Sequence, residues 1–153
     1  MRTRPVILVV DDNLENRQLL GYIFESCALY QVKYASGGAE AFEMLTTGPG
    51  IAADLIVSDV FMQGMDGLEL TSRLRQHPQT QFLPIVLITG VDRDGSREKG
   101  MAAGCDDFVL KPFAKEEVLT RVRHLVELGS YRRQALQHTL AVHAYETAFY
   151  GLL

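Results

Sequence analysis

The chain has 153 residues and is 47% hydrophobic, which suffices for one globular domain whose core needs neither metals nor disulfides to fold. Its formal net charge of −4 argues against a surface devoted to nucleic acids or anionic membranes. The two cysteines, Cys27 and Cys105, lack metal-ligand spacing, and no apolar run approaches the ~20 residues of a membrane span. We therefore expect a soluble, cytoplasmic protein with reduced thiols, no direct nucleic-acid binding and no membrane insertion.

Four short apolar segments are typical of strands buried on both faces of a parallel sheet. They cover residues 6–10, 55–57, 84–88 and 108–110, and they lead into Asp11-Asp12, Asp59, Thr89 and Lys111. A fifth segment, residues 30–34, alternates apolar and polar side chains, which predicts a half-exposed strand at a sheet edge.

Helical spacing of apolar residues fills the segments between these strands. Asp12 followed by Glu15 predicts a capping box for the first helix, and Asp66 predicts the cap of a third helix over residues 67–76. Three glycines within residues 91–104 predict a short, mobile fourth helix. The inner face of the first helix is predicted at Leu20, Ile23, Phe24 and Cys27, and that of the second at Ala41, Phe42 and Leu45. The inner face of the third helix is predicted at Leu70 and Leu74, and that of the fifth at Val118, Leu119, Val122, Leu125 and Val126.

This alternation of strands and helices predicts an α/β fold. The expected form is a doubly wound five-stranded parallel sheet of flavodoxin-like order 2-1-3-4-5, with helices on both faces. Ligands of such folds bind outside the carboxyl ends of the strands. We therefore expect the side chains that follow the buried strands to lie together at one edge of the sheet.

The residue types at that edge suit phosphoryl transfer. Crowded carboxylates repel one another, and a hard cation such as Mg²⁺ relieves the repulsion. Asp59 beside such an ion is a candidate nucleophile toward phosphorus, giving an aspartyl phosphate. Lys111 would neutralise charge on the phosphoryl group, and the Thr89 hydroxyl would donate to it. Each residue alone is commonplace as a cap, loop or strand residue, but the set together predicts a phosphorylation site.

The same residues carry a resemblance to a known family. The motifs resemble the receiver domain of two-component response regulators over residues 6–128. They are Asp11-Asp12, Asp59 with Met62 and Asp66-Gly67 after it, Thr89-Gly90, and Phe108-Val-Leu-Lys111-Pro112.

The resemblance implies a role for each of these positions. Asp59 would accept phosphate from a sensor histidine kinase or a phosphotransfer protein, and Lys111 would pair with the phosphoryl group. Thr89 and Phe108 would be the switch pair, with the ring turning inward as the hydroxyl moves toward the phosphate. The metal ligands, for Mg²⁺ or alternatively Mn²⁺, would be Asp12, Asp59, the Phe61 carbonyl and, through water, Asp11. A cis peptide bond between Lys111 and Pro112 is also implied.

The sequence departs from the family pattern at three positions. Gln63 replaces the usual proline, which predicts a less rigid turn after Asp59. Phe61 and Val91 occupy positions that tune phosphate lifetime in the family, and both are apolar here. An apolar side chain cannot orient an attacking water, so we expect a long-lived phosphoryl group.

Residues 129–153 follow the receiver-like region, 1–128, and are expected to form a helical extension or linker. Gly129-Ser130 predicts a break or kink before helix resumes at Arg132. His138 and His143 lie five apart, which places them off a common helix face and predicts solvated residues rather than metal ligands. An apolar stripe beyond the needs of one domain is predicted at Ala135, Leu136, Thr139, Leu140, Val142, Tyr145, Phe149, Leu152 and Leu153.

The stripe favours a partner helix: either a homodimer or a contact with an output domain. The face of the fourth and fifth helices is the other expected site of self-association. We thus expect a phosphoacceptor switch, not an enzyme in the usual sense, that changes self-association or partner binding.

Two other functions stay open. A Mg²⁺-dependent phosphatase using Asp59 is one, although an Asp-x-Asp pair after the first strand is missing. A phosphate-independent interaction module is the other.

Overall fold

The computed structural model describes residues 4–48 and 50–151, in which five strands alternate with five helices. The strands are β1 Val6–Val10, β2 Gln31–Ala35, β3 Leu55–Asp59, β4 Ile85–Thr89 and β5 Asp107–Leu110. The helices are α1 Leu14–Glu25, α2 Gly38–Thr46, α3 Gly67–Gln76, α4 Ser96–Ala103 and α5 Lys115–Gly151.

The strands form one parallel sheet of order β2-β1-β3-β4-β5, as predicted. β2 lies at an edge, which agrees with its alternating sequence. The two faces of the sheet contribute to two separate apolar clusters, one containing Leu8, Ile56 and Leu87 and the other Ile7, Val57 and Ile88. Both faces are therefore covered, which explains why the central strands are continuously apolar.

One predicted helix cap is correct and one is wrong. Asp66 caps α3, where its carboxylate accepts a hydrogen bond from the backbone N–H of Glu69 at 2.8 Å. The cap of α1 is Asn13 rather than Asp12, and its side chain accepts from the N–H of Asn16 at 2.9 Å. An amide oxygen caps a helix as well as a carboxylate does, so the helix is capped by the residue after the predicted one. The side chain of Asp12 is therefore available for other contacts.

The fourth helix is short, as predicted, with eight residues. Gly95 and Gly104 bound it in the left-handed region, with φ of 70° and 108°. Gly100 is buried where a Cβ would come within 3.1 Å of Leu87 Cδ1, so that glycine permits close packing on the sheet. The predicted mobility of this helix stays a prediction.

The predicted break at Gly129-Ser130 is wrong, because α5 runs without interruption from Lys115 to Gly151. A Cβ at position 129 would lie 2.7 Å from Pro84 Cγ, so the glycine serves close packing against the sheet rather than a turn. The boundary predicted between residues 128 and 129 thus falls inside one helix.

Two ion pairs hold α5 to the amino-terminal edge of the sheet just after this contact. Arg132 pairs with Asp106 at 2.8 Å, and Arg133 pairs with Asp54 at 3.2 Å. Asp106 also pairs with Arg75 of α3 at 2.9 Å, so α3 and α5 are joined through one carboxylate. From position 134 to 149 the helix is exposed, and the predicted stripe residues Leu152 and Leu153 lie outside the described residues. His138 and His143 are exposed, as expected.

Among the described residues no helix is long and apolar enough to cross a membrane.

Candidate functional site

The predicted site residues converge at the carboxyl edge of the sheet because their strands are neighbours. Asp59 ends β3 opposite Ile88 of β4, and Asp11 follows β1 on the other side. The backbone N–H of Lys111 donates to the carbonyl of Thr89 at 2.9 Å, which fixes the end of β5 against β4. The ends of β1, β3, β4 and β5 thus bring the candidate side chains to a common place.

Asp59 lies in an environment that disfavours its charge. Partial burial raises the pKa of its carboxyl group, and the nearby Asp11 raises it further. Lys111 and the backbone N–H groups of Val60 and Phe61 act in the opposite direction. A carboxylate in this position gains from any additional cation placed beside it.

Asp11 is the most enclosed carboxylate of the site, with no exposed surface. One of its oxygens, Oδ1, accepts from the backbone N–H of Asn13 at 2.9 Å. The other, Oδ2, is buried and finds no hydrogen-bond partner among the described residues. Burial raises the pKa of Asp11, with Lys111 and Arg17 opposing the rise. A buried oxygen without a donor is costly unless water or a cation meets it.

Asp12 is exposed and bridges to the loop that follows Asp59. Its Oδ2 accepts a hydrogen bond from the backbone N–H of Gln63 at 3.0 Å. Gln63 stands where the resembling family has proline, which has no N–H to donate. The substitution therefore adds a contact between the loops after β1 and β3, a consequence that the sequence pattern did not reveal.

These carboxylates suit a divalent cation but do not enclose one by themselves. No three histidine, cysteine, aspartate or glutamate side chains in the described parts of the chain converge as a complete metal cage. Mg²⁺ keeps several waters and needs only one or two carboxylates, so a sparse oxygen set fits it. The orphaned Oδ2 of Asp11 and the repulsion between Asp11 and Asp59 both fit an ion at this place.

Thr89 of β4 and Phe108 of β5 lie on the same face of the sheet, because Phe108 pairs with Leu87 and Thr89 follows Leu87 by two residues. The Thr89 side chain is buried, and its Oγ1 accepts from the backbone N–H of Val91 at 3.4 Å, a long bond. Phe108 is only 2% exposed and belongs to the apolar cluster that contains Leu87. The ring is therefore already turned inward in this structure.

The mouth of the site carries a contact that sequence reasoning missed. The Arg93 guanidinium lies over the Phe61 ring, 4.8 Å from its centroid. Phe61 follows Asp59 by two residues, and Arg93 follows Thr89 by four, so this cation–π pair joins the loops after β3 and β4. No signal in the linear sequence pairs these positions, because they lie 32 residues apart.

The backbone around Asp59 is set by tight packing. A Cβ on Gly67 would collide with the carbonyl oxygen of Asp59, so α3 begins directly against the backbone at the end of β3. The N–H of Gly67 donates to the carbonyl of Val60 at 2.8 Å. The peptide bond between Lys111 and Pro112 is cis, in agreement with the expectation.

Comparison with known sequences places this arrangement in context. A family model described as the response regulator receiver domain matches residues 7–123. The phosphate regulon transcriptional regulatory protein PhoB of Rhizobium meliloti (strain 1021) is 35% identical over 131 residues, covering 80% of this chain and 52% of that protein. The transcriptional regulatory protein SrrA of Staphylococcus aureus (strain NCTC 8325 / PS 47) is 34% identical over 120 residues, with coverages of 78% and 47%. The chain spans about half the length of these curated relatives.

Solved structures with the same fold include several of similar size. A putative response regulator from Chloroflexus aurantiacus J-10-fl has a TM-score of 0.74 and 30% identity, covering 82% of this chain and 99% of that one. Chemotaxis protein CheY4 of Vibrio cholerae has a TM-score of 0.71 and 29% identity, with coverages of 80% and 99%. The receiver domain of sensor histidine kinase PA1611 from Pseudomonas aeruginosa PAO1 has a TM-score of 0.73, 25% identity and coverages of 82% and 99%. In that last structure a magnesium ion is coordinated in the active-site cleft.

Proposed function

The chain belongs to the response regulator receiver domain family of two-component systems, and on that premise we propose that Asp59 is its phosphoacceptor. The phosphodonor would be a sensor histidine kinase or a phosphotransfer protein. The observation that carries the proposal is the meeting of Asp59, Asp11 and Lys111 at one sheet edge, where both carboxyl groups have raised pKa values. A site built only for stability would not gather repelling carboxylates in a poorly solvated place.

In the proposed reaction a carboxylate oxygen of Asp59 attacks the phosphorus atom of the donor. The new oxygen–phosphorus bond forms as the bond from phosphorus to the donor group breaks, and the donor leaves with that electron pair. Lys111, close enough to Asp11 and Asp59 to lower both pKa values, would pair with the transferred phosphoryl oxygens. Hydrogen bonds from the N–H groups of Val60 and Phe61 lower the pKa of Asp59 and so favour the carboxylate form that would act as nucleophile.

The residues that would hold a divalent cation are Asp12, Asp59, the Phe61 carbonyl and, through water, Asp11. The ion would neutralise charge between the carboxylates and the incoming phosphoryl group. Oδ2 of Asp11, which lacks a donor in the described residues, supports this assignment. Mg²⁺ is the expected ion, and Mn²⁺ shares its preference for oxygen ligands.

Thr89 would report the phosphorylation. Its Oγ1 now accepts a long bond from Val91 N–H, which a stronger charge-assisted bond to a phosphoryl oxygen would replace. That movement would shift the loop carrying Val91 and Arg93 and thereby the surface near α4 and β5. Phe108 is already buried, so its ring would be held inward rather than brought inward.

We assign the receiver to residues 1–128 and the helical extension to residues 129–153, with self-association or partner binding as the output. The phosphatase alternative has no specific observation in its favour. A phosphate-independent module would not need Lys111 and three aspartates at one edge. The location of the protein in the cytoplasm stays a prediction.

The test is intact mass spectrometry after incubation with Mg²⁺ and acetyl phosphate. One phosphoryl adduct per chain is expected, absent in Asp59→Asn and absent when EDTA replaces Mg²⁺. Asp54→Asn is the matched control, because that aspartate lies just before the same strand, at the opposite edge of the sheet, and its substitution should leave the adduct unchanged. An adduct that persists in Asp59→Asn, or none in the wild type, would refute the assignment; continuous phosphate release would favour the phosphatase.

A further inference from the structure

One face of α5 carries a heptad pattern that the domain does not use. The positions, spaced alternately three and four residues apart, are Leu128, Tyr131, Ala135, His138, Val142, Tyr145 and Phe149. All seven are exposed, and Tyr131 and Tyr145 reach 68% and 70%. We call this set the heptad face. It differs from the stripe predicted from sequence, which mixed residues from two sides of the helix.

Most of the heptad face points away from the receiver domain, although near its start Tyr131 lines a groove with Arg4 and Leu29 of that domain. Val118, Val122 and Gly129 are buried against the domain and define the inner side of α5. At about 100° per residue, His138 lies about 180° around the helix axis from Gly129. The part of the face from His138 onward is therefore accessible to a second copy of the chain.

A repeat of 3.5 residues is the pattern of a helix that packs along another helix, whereas a surface helix follows about 3.6. The exposure of two tyrosine side chains on the surface of one helix also needs an explanation. The ring of Tyr145 stacks on that of Phe149 with 6.4 Å between centroids, but Tyr145 keeps 70% of its surface exposed. An isolated helix segment of this length is marginal in water, and packing supplies most of the stability of such a segment.

We propose that the heptad face binds a second copy of this chain, forming a parallel, in-register two-stranded coiled coil over residues 128–149. The single polar residue of the face, His138, decides the orientation. In an antiparallel pair it would face Leu128, Ala135, Val142 or Phe149, each apolar. In the parallel pair it faces His138 of the other copy, so the two imidazoles meet each other and the register is fixed.

The flanking charges agree with this arrangement. Glu127 and Arg132 occupy the two flanking positions that face each other across a parallel pair, and their charges are opposite. The next such pairs are Gln134 with Thr139 and Ala141 with Glu146, so no like charges oppose one another. Arg132 is also paired with Asp106 of its own domain, which links the interface to the start of β5.

The contact is large enough for a stable dimer. It would run for about 32 Å at about 1.5 Å per residue. An aromatic side chain buries about 150–250 Å², so four tyrosines contribute several hundred Å² to the total. With the aliphatic positions added, the contact approaches the ~1,200 Å² of the smaller specific interfaces. It requires no phosphate on Asp59, so its test is independent of the proposed function.

Sedimentation equilibrium of the full unphosphorylated chain tests the dimer. The wild type is expected to be a concentration-dependent dimer, and Tyr145→Glu should weaken it by at least about 100-fold because it buries an unpaired charge. Leu140→Glu is the matched control: Leu140 is 58% exposed, but lies on the opposite side of the helix. His138→Leu should tighten the dimer, which a merely destabilising change would not do. A monomeric wild type at about 100 µM, or equal effects of the two glutamates, would overturn the proposal.

Disulfide trapping tests the orientation. In a Cys27→Ser background, Ala135→Cys is expected to form a disulfide-linked dimer under mild oxidation, because residue 135 faces its own copy only in the parallel pair. Leu140→Cys should remain monomeric when samples oxidised in the same way are analysed under non-reducing conditions. Equal trapping at both positions, or none at position 135, would contradict the parallel arrangement. Circular dichroism serves as the check that each variant is folded, so the test does not depend on phosphorylation of Asp59.

Discussion

The backbone N–H of Gln63 donates a hydrogen bond to the carboxylate of Asp12 across 3.0 Å, joining the loops that follow β3 and β1. The contact depends on a residue other than proline at position 63. It also occupies one oxygen of a carboxylate that we assign to the cation site. The hydrogen bond from Gln63 therefore competes with a cation for the carboxylate of Asp12.

Replacing Gln63 by proline should strengthen Mg²⁺ binding. Loss of a hydrogen bond worth about 0.5–1.5 kcal/mol net would lower the dissociation constant for Mg²⁺ about 2- to 10-fold. The reason is that the carboxylate of Asp12 would no longer accept a hydrogen bond from residue 63. Isothermal titration calorimetry measures the change. Gln63→Ala keeps the N–H and is the control. Binding to Gln63→Pro that equals or falls below that of Gln63→Ala would show that the bond does not compete with the cation.

Replacing Asp59 by asparagine should stabilise the protein at neutral pH when EDTA is present. The pKa of Asp59 is raised in the folded state by burial and by Asp11, so ionisation of this group opposes folding. Removing the charge should raise the free energy of unfolding by on the order of 1 kcal/mol. Urea denaturation of both proteins at pH 7 measures it.

The pH dependence of that difference follows from the same shift. Folded wild type holds its proton more tightly than the unfolded chain, so the stability of wild type rises as the pH falls through the folded pKa toward the ordinary value of 3.8. The advantage of Asp59→Asn should therefore shrink on acidification. An advantage that grows toward low pH, or an asparagine variant less stable at pH 7, would contradict this account.

The pairing of Arg93 with Phe61 should slow loss of the phosphoryl group. Phe61 follows Asp59 by two residues, and the Arg93 guanidinium from the loop after β4 lies over its ring. We expect the pair to restrict the approach of water to a phosphoryl group on Asp59. We expect the phosphoryl group on Asp59 to be hydrolysed a few-fold faster in Arg93→Ala than in wild type, because an exposed cation–π pair contributes about 0.5–1 kcal/mol. The decay of the intact-mass adduct after removal of acetyl phosphate gives the rate.

Arg97→Ala serves as the control for that measurement, because it removes an equal charge from α4 four residues further along. A decay rate in Arg93→Ala that matches both Arg97→Ala and wild type would exclude a role for the pair. A wild-type adduct lost within minutes without a phosphatase would contradict the expected long lifetime.

The sequence was sufficient for the sheet because its central strands are continuously apolar and end in polar residues. That pattern fixed Asp11, Asp59, Thr89 and Lys111 at one edge without any knowledge of tertiary contacts. The contacts between loops were beyond it, since Gln63 reaches Asp12 through a backbone N–H that every residue except proline possesses. The cap of α1 was misassigned because Asp12 and Asn13 are both good caps and only the backbone geometry separates them.

Gly129 is a second case in which the sequence did not reveal a tertiary contact. Its helix propensity predicted a break, but its lack of a side chain serves contact with Pro84. Helix propensity is a local property, whereas the reason for this glycine is its contact with Pro84, which lies just before β4 and 45 positions earlier in the chain.

Replacing Gly129 by alanine decides between these two explanations by the sign of its effect. In a solvent-exposed helix the change should stabilise the protein by about 1 kcal/mol, because alanine is the better helix former. Here the new Cβ would lie 2.7 Å from Pro84 Cγ and 3.0 Å from its Cδ, so α5 must shift away from the sheet. Overpacking of this kind costs about 1–3 kcal/mol, so we expect net destabilisation. Thermal denaturation measures it, with Ser130→Ala as the control on the neighbouring, less buried position. A more stable Gly129→Ala protein would mean that the contact with Pro84 relaxes at little cost.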